Sequence, residues 1–292
     1  KNYFESNFLK GISIALDCAN GATSNIAPEI FRDFGANVFT TKNLPNGKNI
    51  NFGCGSNYPE SIKSFVKSKN ADIGFAFDGD GDRLTIATKS GEIKDGDDLL
   101  HLLMEHEAIK KETAIVGTVM SNTGLTEELK SRNIELMAAQ VGEKSVMTKL
   151  IYEGLLLGGE PSGHVIMRDY LSCSDAIFVA LRIMEVIKNN ENWNLKTFKK
   201  YPQLLKNIPV RIKQNLKQEP FRSLIEKYKS KVSPGRILVR HSGTENILRV
   251  LIESENNNSK IADNFITEFR EAEKGLKGGT FYGKKIIRQK TV

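Results

Sequence analysis

Cysteine is scarce: the chain has only Cys18, Cys54 and Cys173 among 292 residues. Their number is odd and no pair is spaced as Cys-x-x-Cys, so no disulfide framework is indicated and a reduced, cytosolic setting is the simplest reading. Long apolar runs are missing too. No stretch approaches the roughly 18 residues of a membrane span, and no secretory leader opens the chain, so no membrane partner is expected. Blocks of one charge are equally lacking. The net charge of +7 and pI near 9.1 arise from basic residues spread along the whole chain. Nucleic acid is therefore the weakest partner considered, resting on net charge and the lysine-rich stretch 274–292, and a site for phosphorylated metabolites explains the charge equally well. No internal repeat is visible. The first residue is Lys1, not Met, which suggests a fragment or processed product.

What is present suffices for a sizeable core, with 39% hydrophobic residues and room for two or three domains. Residues 3–10 read as helical. A strand at 12–16 ends at Asp17-Cys18-Ala19-Asn20-Gly21-Ala22, and a helix from about Ser24 carries Ile26, Ile30, Phe31 and Phe34 on one face, with Gly35 as its cap. A parallel strand follows at 37–40, then a polar surface loop at 43–51. Ile62, Phe65 and Val66 mark a short helix before the buried strand 73–77. Segments 84–88 and 92–94 form a hairpin, and Asp95-Gly96-Asp97 caps a helix over 98–106.

A second α/β unit has strands at 113–119 and 134–138, helix-opening turns at 121–124 and 141–144, and a polar loop between two apolar strands within 155–167. The helix over 174–187 has Ile177, Ala180, Leu181 and Met184 as core residues. From Ile208 the order is strand, helix (219–229), strand (236–240), strand (247–253) and helix (260–271). The fold class is thus α/β: two successive α/β sheet domains, 1–108 and 109–203, then a smaller α+β domain with an antiparallel sheet, 204–272. Residues 273–292 form a basic tail with no assigned structure.

Three loops carry chemistry. Asp78-Gly79-Asp80-Gly81-Asp82-Arg83 follows the buried strand, and alternating carboxylates with glycines between them curl toward one point. Such a loop suits a hard cation, Mg²⁺ first, with Arg83 as a planar cation beside it. Calcium of the EF-hand type is excluded, since Arg83 and Lys89 stand where that loop needs glycine and glutamate. Glu160, Ser162 and His164 offer a carboxylate, a hydroxyl and an imidazole from one glycine-bearing loop, a mixture suited to polyhydroxylated ligands. Arg240, Ser242, Gly243 and Thr244, with Arg249 nearby, lie between two strands and suit a phosphate, although an ordinary turn would use similar residues.

Together these loops resemble the α-D-phosphohexomutase superfamily, and within it the phosphoglucosamine mutase branch, from about Tyr3 to Glu253. Residues 78–83 look like its metal loop, 159–164 its sugar-recognition loop, and 240–244 with Arg249 its phosphate loop. Segments 17–22 and 45–51 are similar to the phosphoglucosamine members rather than the phosphomannomutase or phosphoglucomutase branches, and 120–125 fits as well. The resemblance implies a cytoplasmic enzyme of amino-sugar metabolism with four domains around one cleft. A phosphoserine in the first domain would transfer its phosphoryl group to glucosamine 6-phosphate, and the bisphosphate would turn and return the other group. Asp78, Asp80 and Asp82 would hold Mg²⁺, Arg83 would stabilise transferring charge, Glu160, Ser162 and His164 would bind the sugar, and Arg240, Ser242, Gly243, Thr244 and Arg249 the phosphate that is not reacting.

Nothing in the chain resembles that first domain, so a missing N-terminal domain is the expected partner and the fragment is expected to be inactive alone. Smaller departures are Glu143-Lys144 in place of Asp-Arg, Ala138-Ala139 in place of a more polar pair, Asn246 in place of proline, and an extension over 274–292. A metal-dependent phosphatase using the acidic loop as nucleophile lacks its downstream lysine in order. A non-catalytic phosphosugar-binding protein, or another phosphohexomutase, stands as the alternative. Oligomeric state is open, a homodimer included.

Overall fold

The computed structural model describes residues 3–232, 235–243, 245–255 and 258–278. They fall into two compact units, Lys1–Lys200 and Tyr201–Val292. The first unit holds two sheets. In one, β1 (Ser13–Asp17), β2 (Asn37–Thr41) and β3 (Ile73–Phe77) run parallel, with crossovers through α1 (Thr23–Asp33) and α2 (Glu60–Lys69). The hairpin β4 (Leu84–Thr88) and β5 (Ile93–Lys94) extends it antiparallel, giving the order β2-β1-β3-β4-β5. Every residue of β3 and β4 is buried, as central strands covered on both faces require.

The other sheet has the order β7-β6-β8-β9, from β6 (Ala114–Thr118), β7 (Glu135–Ala139), β8 (Leu157–Gly159) and β9 (Val165–Met167). Its helices are α4 (Thr123–Ser131), α5 (Glu143–Glu153) and α6 (Ala176–Asn190). Between the sheets' elements lies α3 (Gly96–Leu103), which packs on α4, α6 and β8. Leu99, Leu100, Leu102 and Leu103 are all buried, and Gly96, Asp97 and Asp98 in the first turn are buried with them, so this helix lies inside the fold. One hydrophobic cluster consequently runs from Phe75 and Leu84 through Leu100 to Leu157, Ile183 and Met184. Asp95 caps α3 with a reciprocal pair, its Oδ1 accepting from the Asp97 and Asp98 N–H groups while Asp98 Oδ2 accepts from the Asp95 N–H. The helix stops at Leu103, so the expected extension to His106 is a turn.

Two further expectations are corrected. Residues 3–10 are turns, not a helix. Asn7 takes a left-handed φ of 58°, which breaks helical continuation, while Phe4 and Phe8 stack at 5.7 Å and meet Phe34. Arg182 lies beneath this segment with its guanidinium over Phe4 and Tyr170. In α1, Ile26 faces solvent at 51% exposure, and the buried stripe is Thr23, Ser24, Ala27, Pro28 and Phe31.

In the second unit, β10 (Gln203–Pro209), β12 (Ile247–Ser254) and β11 (Gly235–His241) form an antiparallel sheet with β12 central. Helices α7 (Phe221–Lys231) and α8 (Asn258–Gly278) cover it through Phe221, Tyr228, Phe265 and Phe269. The expected tail begins as the last turns of α8, and residues 279–292 lie outside the described residues. No helix among the described residues is long and apolar enough to cross a membrane.

The α3 N-terminus is pressed against the 159–164 loop. Gly96 donates its N–H to the Pro161 carbonyl at 3.1 Å, and a β-carbon on Gly96 would stand 1.8 Å from the Glu160 carbonyl oxygen. Gly96→Ala is therefore expected to cost at least ~2 kcal/mol, read as a lowered urea midpoint.

Candidate functional site

The acidic loop is shaped by its first residue. Asp78, only 3% exposed, accepts through Oδ1 from the backbone N–H groups of Gly81 (3.1 Å), Asp82 (3.2 Å) and Arg83 (3.1 Å). That bonding folds the chain back on itself, with Gly81 at a φ of 80°, and leaves the three carboxylates with oxygens within 4.8 Å of one another. Arg83 Nε stands 3.6 Å from Asp78 Oδ2. Burial pushes the Asp78 carboxyl up to about 6; the Arg83 N–H opposes this and the Asp82 charge adds to it. Asp82 Oδ1 is buried with no hydrogen-bond partner among the described residues. Its charged neighbour is Arg83 Nε at 4.0 Å, and crowded, partly desolvated carboxylate oxygens of which one has no hydrogen bond fit a hard divalent cation such as Mg²⁺.

The 160–164 loop meets this one directly. His164 Nε2 lies 2.9 Å from Asp82 Oδ2, and its Nδ1 lies 3.3 Å from both Glu160 Oε2 and Ser162 Oγ. The Glu160 bond, against the opposing effect of burial and with help from Asp82, raises the imidazole above its ordinary value. Burial alone would push Glu160 up, but His164 and the Gly142 N–H at 2.8 Å outweigh it and hold the carboxyl below the usual range. His164 thus lies between two carboxylates, both of which favour its charged form. Arg83 Nε stands 3.4 Å from the same Nε2. Backbone pairing reinforces the junction: Arg83 bridges His164, and the Leu84 N–H donates to the Gly163 carbonyl at 3.1 Å.

The third loop belongs to the second unit. Arg240 on β11 stands directly opposite Arg249 on β12 in the strand register. Like charges in that position repel, and the nearest described acid is Glu245, 3.9 Å from Arg249 Nη2. Arg249 Nε is buried without a hydrogen-bond partner among the described residues. The turn closes through the Ser242 N–H to the Ile247 carbonyl (2.8 Å) and the Glu245 N–H to Ser242 Oγ (3.3 Å), and Gly243 holds Lys213 Nζ through its carbonyl. An anion would relieve the paired arginines. Thr244 lies outside the described residues.

Sequence reasoning missed the residues behind these loops. Ser174, read as the start of a helix, precedes the true cap Asp175 and hydrogen-bonds the acidic loop instead. Asp97, read as part of a cap, is buried and also accepts the Asn122 N–H at 2.7 Å. Burial, with the Asp95 charge adding to it, pushes its carboxyl up to about 7. The spacing of such residues does not distinguish anchors from caps, so the sequence carried no signal for either role.

Three family descriptions match the chain: phosphoglucomutase/phosphomannomutase alpha/beta/alpha domain II over residues 2–91, domain III over 95–208, and the C-terminal domain over 202–272. Among curated relatives, phosphoglucosamine mutase of Halalkalibacterium halodurans is 38% identical, the match covering 92% of this chain and 61% of the relative. Phosphoglucosamine mutase of Bacillus subtilis is 39% identical over 89% of this chain and 60% of the relative. The chain therefore spans about three fifths of the length of these relatives. In fold it is similar to a phosphoglucomutase/phosphomannomutase family protein from Burkholderia thailandensis, with a TM-score of 0.72 at 24% identity, covering 92% of this chain and 62% of that one. It is also similar to Aspergillus fumigatus N-acetylphosphoglucosamine mutase in complex with GlcNAc-6P and magnesium, with a TM-score of 0.66 at 21% identity, covering 91% and 67%.

The paired titration of His164 and Glu160 has a definite sign. A raised histidine contributes stability that is complete below its ordinary 6.5 and lost as pH rises through its folded value. A depressed glutamate contributes stability present above 4.5 and lost as pH falls through its folded value. His164→Gln should therefore narrow its stability gap from the parent toward both high and low pH. In NMR titrations Glu160→Gln should lower the His164 midpoint, and an unchanged midpoint would break the assignment.

Proposed function

The chain belongs to the phosphoglucomutase/phosphomannomutase family, and we propose that it is the metal-binding and substrate-binding part of a phosphoglucosamine mutase. The reaction is interconversion of glucosamine 6-phosphate and glucosamine 1-phosphate through a phosphoserine and a bisphosphate. The observation that carries this reading is the direct contact of the acidic loop with the sugar loop through His164. The relatives named phosphoglucosamine mutase at 38% and 39% identity favour this branch over its neighbours.

Asp78, Asp80 and Asp82 are the ligands for Mg²⁺, which when bound would offset charge on phosphoryl oxygens. Arg83 offers its guanidinium to the transferring group from beside Asp78. Glu160, kept ionised by His164 and the Gly142 N–H, accepts from sugar hydroxyls, and Ser162 both donates and accepts. Hydroxyls arranged alike in both orientations of the bisphosphate can use the same contacts. Arg240, Ser242, Gly243 and Thr244, with Arg249, bind a phosphate. The serine nucleophile is carried by a further domain, so this chain alone supports no turnover.

Mg²⁺ should raise the unfolding midpoint more above about pH 7 than near about pH 5, because the raised Asp78 must be ionised to bind it. Asp80→Asn and Asp82→Asn should remove that shift, and a parent chain with no cation-dependent shift would end the metal assignment. By calorimetry, Arg240→Ala should weaken glucosamine 6-phosphate binding about tenfold or more. Phosphoryl exchange should appear only when a serine-bearing domain is supplied. Preference for mannose 6-phosphate would move the chain to another branch of the family.

A further inference from the structure

Ser174 precedes the α6 cap, is 8% exposed, and uses its polar groups on three different elements. Its hydroxyl donates to the Asp82 carbonyl at 2.6 Å and accepts the N–H of Val165, the first residue of β9, at 3.1 Å. Its own N–H donates to Glu143 Oε1 at 2.7 Å. The neighbouring Gly142 N–H holds Glu160, Glu160 holds His164, and His164 returns to Asp82. A closed ring of polar contacts therefore runs from Asp82 through Ser174, the start of α5, Glu160 and His164 back to Asp82. Two residues further on, the Ala176 N–H donates to the Gly81 carbonyl at 3.0 Å. The acidic loop is thus gripped on its N–H side by Asp78 and on its carbonyl side by residues 174 and 176.

We propose that Ser174 is a positioning residue that fixes the acidic loop and the sugar loop in one register, so that cation binding at 78–83 is coupled to the order of 159–167. Asp82 is the residue through which this acts. Its carbonyl is fixed by Ser174, its N–H by Asp78 Oδ1, and one carboxylate oxygen by His164, which leaves Oδ1 with no hydrogen bond and only the Arg83 guanidinium Nε at 4.0 Å. Removing the hydroxyl frees that carbonyl and the Val165 N–H together, loosening both loops at their point of contact. A network behind a metal ligand acts on affinity by fixing the ligand's direction.

The inference rests on reading 78–83 as a cation loop, and the experiment separates the two. Mg²⁺ binding to the full chain is measured by calorimetry, with amide hydrogen exchange followed with and without the ion. In the parent chain, Mg²⁺ should protect 78–83 and also 159–167. Ser174→Ala should weaken Mg²⁺ binding about ten- to a hundredfold and confine the protection to 78–83, while Ser174→Thr, which keeps the hydroxyl, should restore both. A parent chain that binds no Mg²⁺ overturns the cation reading itself. A parent that binds Mg²⁺, with Ser174→Ala binding it within about twofold and still transmitting protection, overturns the positioning role alone. If Ser174→Ala fails to fold, the parent decides: protection reaching 159–167 supports the coupling, and protection confined to 78–83 refutes it.

Discussion

The backbone of the acidic loop has almost no freedom left. A buried carboxylate takes three successive amide protons, and the α6 approach takes two carbonyls on the opposite side. This constraint decides what the loop can do. Backbone groups satisfied inside the protein need no ligand, so what the loop has to offer is carboxylate and guanidinium. Conformational cost is met on folding, and a cation or phosphate meets side chains already directed.

The charges around the loop are divided between two tendencies. Asp78 resists ionisation because it is buried among other acids, which favours a proton or a metal there. His164 and Glu160 favour their charged forms because each is the other's partner. Acid that wants a cation and acid that already has one therefore stand side by side. His164 separates them while touching both, and this arrangement distinguishes the carboxylates of the acidic loop from Glu160. In the second unit the problem is inverted: two arginines face each other across strands, and Glu245 pairs with one of them, Arg249, at 3.9 Å. Acids thus outnumber cations around the acidic loop of one unit, and arginines outnumber acids around the 240–249 turn of the other.

The shared core of the first unit explains why its two sheets hold their loops in contact. Helix α3, with its four leucines and its first turn all buried, sits among α4, α6 and β8. Its N-terminus is pressed against the sugar loop so closely that only glycine fits at position 96. Packing in the interior is in this way passed on to the position of Glu160 and His164.

The sequence by itself determined the elements and their alternation. Runs such as 73–77 are too apolar to be anything but buried, and glycine-spaced aspartates after such a run make a turn whatever surrounds it. It likewise determined the residue types of all three loops, which the structure arranges as a carboxylate cluster, a Glu160–His164 ion pair and two facing arginines. Only the tertiary structure decided that residues 3–10 wrap as turns over Arg182, that Ile26 faces water, and that Ser174 and Glu143 stand behind the acidic loop. The physical reason is range. Periodicity and turn chemistry act over a few neighbouring residues, whereas the contacts of His164 and Ser174 with Asp82 join positions some eighty to ninety residues apart and exist only once both sheets share a core.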